Sequence, residues 1–357
     1  MGVRQEKVQV LIWGLGAMGS GMADMLLEKQ GVEIVGVCDI HPQRVGQELH
    51  EVLGRSRNHH PQVFISPDVD EILSKTTADI ALLATDSFTA KALPKILKLV
   101  QNGLNVISTA EEMAYPQAQN PALAQQIDEE AQKNGVSVLG TGINPGLIMD
   151  LMVVMLTGAC RDVSKVEAER INSLSPFGPA VMEEQGVGTH PEEFLTGVQN
   201  GEIAGHVGFP ESVGMIAQGI GWKLDGPVKQ TQQAIITSVP RTTPYISIKP
   251  GDVAGCDQRG RATMAGKECL SMIHPQQIEP QEEGVETGDY IRITGTPNIS
   301  MAIQPEIPGG IGTIAMCVNM IPQVINASPG LKTMLDLPVP RAVMGDMRER
   351  IEEAHHE

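Results

Sequence analysis

The sequence predicts an α/β protein: a doubly wound parallel sheet of Rossmann type, followed by a second α+β domain built on a mixed or antiparallel sheet. Three observations carry this. Short apolar runs alternate with helical segments as far as about residue 150. A G-x-G-x-x-G triplet lies between the first run and the first helix. Past residue 150 the rhythm changes to strand-like runs separated by Gly and Pro.

The first run, Val8 to Trp13, is partly β-branched and of strand length, and it opens into Gly14, Gly16 and Gly19. A helix is expected to about Lys29, then a second strand from Val32 to Cys38, ending at Asp39. In that order each part has a physical task. Gly14 permits the tight turn, Gly16 lets the backbone approach a pyrophosphate, and Gly19 lets helix and sheet pack closely. The helix start, with Leu15, Ala17 and Met18 around it, offers free N–H groups and partial positive charge to phosphate. Asp39, 20 residues past Gly19, is placed to accept from the ribose hydroxyls. A carboxylate there favours NAD, whereas His41 and Arg44 can take the additional phosphate of NADP, so the cofactor is NAD or NADP.

A helix is expected over 42–53, opening at Pro42, then a polar loop, a short helix from Asp68 to Ser74 and a buried strand over 79–85. Helix 88–102 carries Leu93, Ile96, Leu97 and Val100 at helical spacing and stops at Gly103. Strand 105–108, helix 121–134 and strand 136–142 complete the alternation. In such sheets ligands gather beyond the C-terminal strand ends. That makes Thr85, Ser87, Thr109, Ala110 and the GINPG segment with Asn144 candidate cofactor contacts beside the glycine loop.

In the second part, Ser164 to Ile171 alternates as a strand, and 191–200 and 211–221 read as helices. QAIITSV, YISIKPG, DYIRITG and ISMAI read as strands. Gly309 to Ile325 reads as an apolar helix returning to the first domain, and the tail from Arg348, with His355 and His356, as a frayed charged end. The expected domains are 1–150, 151–308 and a C-terminal return at 309–357.

Composition narrows the function class. The formal charge of −17 argues against nucleic acid or an anionic membrane as partner. Five scattered cysteines without a C-x-x-C pair read as reduced, buried thiols rather than a disulfide frame or zinc site. HExxH and G-x-S-x-G are absent, so no metal and no serine hydrolase are expected. The chain enters its first strand almost at once and has no run of 18 apolar residues, so a soluble cytoplasmic protein is expected.

Several long strings go further: IWGLGAMGSGMA, STAEEMAYP, GTGINPG, INSLSPFGP, GVGT, GFPES, IHPQQ, GVETGDYIRI and PEIPGGIGT. Through them the chain resembles, end to end, the 2,4-diaminopentanoate dehydrogenases and related native amine dehydrogenases. More distantly it is similar to dihydrodipicolinate reductase and homoserine dehydrogenase. The resemblance implies NAD(P)-dependent oxidative deamination of 2,4-diaminopentanoate at C4, to 2-amino-4-oxopentanoate and ammonia, with reductive amination as the reverse. It also implies a homodimer and a place in ornithine fermentation. Glu111 and Glu112 supply a base for amine and water, with the preference on Glu112; the plainer alternative is an acid complementing a helix dipole. Asn144 and Pro145 are candidates for nicotinamide or substrate, or for a helix start at the proline. Arg170 and Asn172, two apart on a strand, share a face suited to a carboxylate; His206, His274 and Thr313 complete the substrate candidates. The alternatives are a cyclic-imine reductase or semialdehyde dehydrogenase on the same scaffold, and an NAD(H)-binding sensor without turnover.

Overall fold

The computed structural model describes residues 4–352, so His355 and His356 lie outside the described residues. Two compact units result, one formed by 1–146 with 310–357 and one by 147–309.

The first unit begins with strand β1 (Val8–Trp13), helix α1 (Ala17–Leu27) and strand β2 (Val32–Cys38). The helix expected over 42–53 is only α2 (Leu49–Val52). Residues 42–47 are instead turns, closed by Arg44 N–H and Val45 N–H donating to His41 O. Pro42 starts a bend there, and Glu48, not Pro42, caps the short helix. Strand β3 (Ile65–Ser66), helix α3 (Val69–Lys75, capped by Asp68), strand β4 (Ile80–Leu83) and helix α4 (Thr89–Gln101) follow. Strand β5 (Asn105–Ser108), a 3-10 turn at Glu111–Ala114, helix α5 (Pro121–Lys133) and strand β6 (Ser137–Gly140) come next.

After β6 the chain does not enter a helix at Pro145. Turns run through the GINPG segment, where Asn144–Pro145 is cis, and helix α6 (Leu151–Thr157) starts only at Leu151. Asp150 caps α6, accepting from Leu151 N–H at 2.6 Å. The second unit then contains strand β7 (Asp162–Ser173) and helices α7 (Pro179–Glu184), α8 (Pro191–Asn200) and α9 (Phe209–Ile220). Strands β8 (Lys229–Ile236), β9 (Arg241–Thr242) and β10 (Ser247–Ile248) lead to the long hairpin β11 (Val253–Met264) and β12 (Lys267–Gln277). Strands β13 (Gly288–Thr296) and β14 (Ile299–Ile303) finish it. Its main sheet has the order β14-β13-β7-β12-β11-β8, with only β12 and β7 parallel. The β11–β12 hairpin is invisible to patterning because Arg259, Gly260, Arg261 and Pro275 interrupt its apolar alternation.

Helices α10 (Gly309–Asn319) and α11 (Ile321–Ile325) divide the single apolar helix expected there, and strand β15 (Gly330–Lys332) adds an edge that was not expected. The first sheet is parallel throughout, in the order β15-β6-β5-β4-β1-β2-β3. Strands β4 and β6 bury every residue and β1 buries four of six, as helices on both faces require. From Arg348 the described tail is a 3-10 turn rather than frayed chain: Arg348 pairs with Asp346 at 2.7 Å and donates to Gln5 O. Among the described residues no helix is long and apolar enough to cross a membrane.

Strand β6 abuts the turn bearing the two glutamates. An ideal Cβ on Gly140 would lie 2.0 Å from Met113 O. We therefore expect Gly140→Ala to displace that turn and cost about 2 kcal/mol as overpacking. Urea denaturation checks this; an unchanged midpoint would show that the contact yields freely.

Candidate active site

At the exit of β1, Gly14 has φ of +95° and its Cβ position falls 2.5 Å from Ala84 O and 2.7 Å from Thr85 Cγ2. The Cβ position of Gly19 falls 1.8 Å from Gly14 O, so α1 rests directly on the turn backbone. Gly16 faces open space, with nothing within 4 Å of its Cβ position. It starts α1 with no side-chain cap and no acid in the first turn. A crowded Gly14, a crowded Gly19 and an open Gly16 at an uncapped helix start form a cradle for a pyrophosphate.

The residue that follows strand β2 holds this loop. Asp39 accepts from Leu15 N–H at 2.5 Å and from His41 N–H at 2.7 Å. Arg44 donates to Leu15 O at 2.5 Å and lies 3.7 Å from the Asp39 carboxylate. Asp39 and Arg44 are thus brought together at the loop, and Ile40, which follows Asp39, is 81% exposed.

On the other side, Thr85 donates to Asp86 at 2.5 Å, and the Lys95 ammonium, on α4, reaches Thr85 Oγ1 at 2.9 Å and Asp86 at 2.6 Å. Nothing in the sequence marks Asp86 or Lys95, because their partnership crosses from a strand exit to a helix. Thr109 N–H donates to Leu83 O, and Ala110 N–H to the Ser108 hydroxyl.

The two adjacent glutamates have different surroundings. Glu112 is buried, and one carboxylate oxygen accepts from Thr89 N–H at 2.7 Å and from the Asn120 amide at 3.1 Å. Its own N–H donates to Ser87 O. Glu112 therefore caps α4 from another element, the plainer role foreseen for one of the pair. Glu111, at the start of the same turn, is only half-buried.

Beyond β6, Thr313 on α10 accepts from Ile143 N–H at 3.2 Å and the Cys317 thiol reaches Thr141 O, which ties the GINPG segment to the returning helix. Gly142 packs against Thr313, and Gly21 of α1 against Ile314. Burial pushes the Cys317 thiol up to about 12 and Cys38, with Asp39 beside it, to about 11, so neither is a nucleophile.

In the second unit Arg170 and Asn172 do point to one buried face of β7. The Arg170 guanidinium is already engaged, by the buried Asp289 carboxylate on neighbouring β13 and by Ile307 O at 2.7 Å. Asp289 lies 119 residues away in sequence, so no local pattern pairs it with Arg170. Burial raises the Asp289 pKa even though Arg170 and the Ile307 N–H pull it down. The Oδ1 of buried Asn172 has no hydrogen-bond partner.

His274 meets Arg170 O through Nδ1 at 2.7 Å, and its ring stands edge-on to His206 at 4.7 Å. Phe209 packs on both rings. Desolvation, with the charge of Arg170, holds both imidazoles below the usual histidine range. Both are therefore neutral near pH 7 and offer hydrogen-bonding and packing groups rather than charge. Among the described residues no group of three or more His, Cys, Asp or Glu could hold a metal ion.

The 2,4-diaminopentanoate dehydrogenase C-terminal domain family matches residues 147–353. The 2,4-diaminopentanoate dehydrogenase of Acetoanaerobium sticklandii is 58% identical over 98% of each chain. An amine dehydrogenase of Streptomyces virginiae is 21% identical over 94% of this chain and 98% of its own. Among solved structures, an amine dehydrogenase from Mycobacterium smegmatis is 27% identical, with a TM-score of 0.85 over 96% of this chain and all of that one.

The neutral histidines have a stability signature. In the unfolded chain His274 takes a proton near pH 6.5, whereas in the folded protein it stays neutral. The unfolded state then binds more protons as pH falls, so stability is present above pH 6.5 and lost below it. His206 behaves the same way, so the expected slope is about 1.4 kcal/mol per pH unit for each of the two rings. Urea midpoints between pH 7.5 and 5.5 measure it, and His274→Gln should roughly halve the slope; an unchanged slope would refute a neutral buried His274.

Proposed function

The chain belongs to the 2,4-diaminopentanoate dehydrogenase family, and from that membership we propose that it is an NAD(P)-dependent enzyme that deaminates 2,4-diaminopentanoate oxidatively at C4. The products are 2-amino-4-oxopentanoate and ammonia, and the reverse direction is reductive amination of small ketones. The observation that carries the reading is the half-buried Glu111 at a strand exit in the same unit as the uncapped glycine loop.

Bound nicotinamide supplies the hydride acceptor. Gly14, Gly16 and Gly19, with the N–H groups of Ala17 and Met18, would hold the pyrophosphate. Asp39 would meet the ribose, and Arg44 lies beside it for the phosphate of NADP. Thr85, Ser87, Thr109, Ala110 and Asn144 line the remaining strand exits.

Glu111 is the base. It takes the proton that leaves the substrate amine neutral and passes it to solvent; it then takes a proton from the water that adds to the iminium carbon and returns it to the nitrogen, which leaves with the hydroxyl proton as ammonium. Glu112 holds the turn on which Glu111 stands. Arg170 and Asn172 recognise the carboxylate end, Arg170 as one half of a neutral pair with Asp289. His206 and His274 shape that end as neutral rings. Pro145 and Thr313 hold the segment around Asn144. A cytoplasmic homodimer serving amino-acid fermentation completes the proposal.

Reduced-cofactor absorbance at alkaline pH, with 2,4-diaminopentanoate and NAD or NADP, tests this directly. Glu111→Gln should lower kcat roughly 10²- to 10⁴-fold while still binding cofactor. Glu112→Gln should keep more activity but lose about 1 kcal/mol of stability. Cofactor binding without any reduction would sink the substrate assignment, and a greater kcat loss in Glu112→Gln would reverse the two roles.

A further inference from the structure

We infer that helix α4 is a fixed spacer between the dinucleotide loop and the turn bearing Glu111, and that Lys95 and Glu112 are its two positioning residues. The inference rests on the reading that the β1 loop holds a dinucleotide and that Glu111 is the base.

The argument starts from what α4 lacks. Phe88 stands at its N-cap and offers no side-chain hydrogen bond, while Pro94 sits inside the helix. A proline there removes one hydrogen bond and crowds the preceding turn, which weakens the helix. The first turns of α4 therefore need anchors from elsewhere. Two are present, and each leads to a different strand exit.

Glu112 is the first anchor. Its carboxylate takes Thr89 N–H, the first of α4, and the Asn120 amide, while its N–H closes on Ser87 O. The β5 exit and the helix start cannot move separately. Lys95 is the second, immediately after the proline. Its ammonium lies between Thr85 Oγ1 and Asp86, and Thr85 in turn donates to Asp86, so the Thr85 rotamer is held from two sides. That rotamer decides where Cγ2 sits, and Cγ2 is one wall against Gly14. A continuous line of contacts thus runs from Glu112 through α4 to Lys95, Thr85 and Gly14.

The Lys95–Asp86 pair is not an ordinary surface ion pair. The Asp86 side chain is 11% exposed and that of Lys95 29%. Partial burial keeps the attraction less screened than in open solvent, and the shared hydroxyl fixes its direction. A purely structural role for the pair would lower stability and leave cofactor affinity alone. A positioning role acts on the loop.

Lys95→Met, Lys95→Arg, Glu112→Gln and the Lys95→Met/Glu112→Gln double variant separate these. Reduced-cofactor affinity is read by nicotinamide fluorescence without substrate, and kcat and KM by cofactor reduction. Lys95→Met should weaken cofactor binding about tenfold while the KM for the amine is unchanged, with Lys95→Arg recovering most of the loss. The double variant should fall short of the product of the single effects on kcat by at least about fivefold, since both act through one helix. A lower melting temperature with unchanged cofactor affinity would overturn the inference, as would strictly multiplicative effects. Should Lys95→Met fail to fold, Asp86→Asn cuts the same link with the lysine stem in place and decides on the same readouts. Wild-type protein that binds cofactor but leaves 2,4-diaminopentanoate untouched would end the substrate reading, and the fluorescence result would still decide this one.

Discussion

The contact on which the first unit depends is backbone against backbone: the carbonyl of Gly14 occupies the space where a side chain on Gly19 would stand. Helix α1 can approach the sheet that closely only because both positions are glycine. The approach aims the free N–H groups of the first helical turn at the open side of Gly16. Neighbouring strands add side-chain clamps. Asp39 and Arg44 take the N–H and C=O of Leu15, and Thr85 closes on Gly14. An acidic chain repels an anionic cofactor at long range, so such short-range, oriented groups are what affinity must come from.

The two glutamates show how one turn divides labour between adjacent residues. A carboxylate used to cap a helix must be buried against its N–H groups, which removes it from proton traffic. Glu112 meets that description, with two donors on one oxygen. Its neighbour inherits a rigid platform rather than a flexible loop. A side chain on such a platform has less conformational freedom to lose than one on a mobile loop.

Charge is handled differently in the second unit. Arg170 is buried with Asp289 opposite it across the β7–β13 pairing, and removing either partner would strand the other charge away from water. Neutral His206 and His274 beside the pair add hydrogen bonds and aromatic packing without a third charge.

Where a structural feature follows from neighbours in sequence, it was legible. The period-two and helical patterns located β1, α1, β2, β4, α4, β5, α5 and β7 within a few residues, and the glycine spacing located the loop. The family strings identified the chain's relatives, whose similarity spans nearly its whole length. Local signals misled where they were weak. Pro42 and Pro145 looked like helix starts, yet the chain turns at both, because proline in a first turn is permissive and does not propagate a helix. Only the tertiary structure decided which glutamate is buried, that Lys95 belongs with Thr85 and Asp86, and that Arg170 already has Asp289. Each of those depends on groups from separate elements meeting, and desolvation on meeting sets their charge and reach. A linear pattern records which side chains can ionise; the packing around them determines which ones do, and toward what.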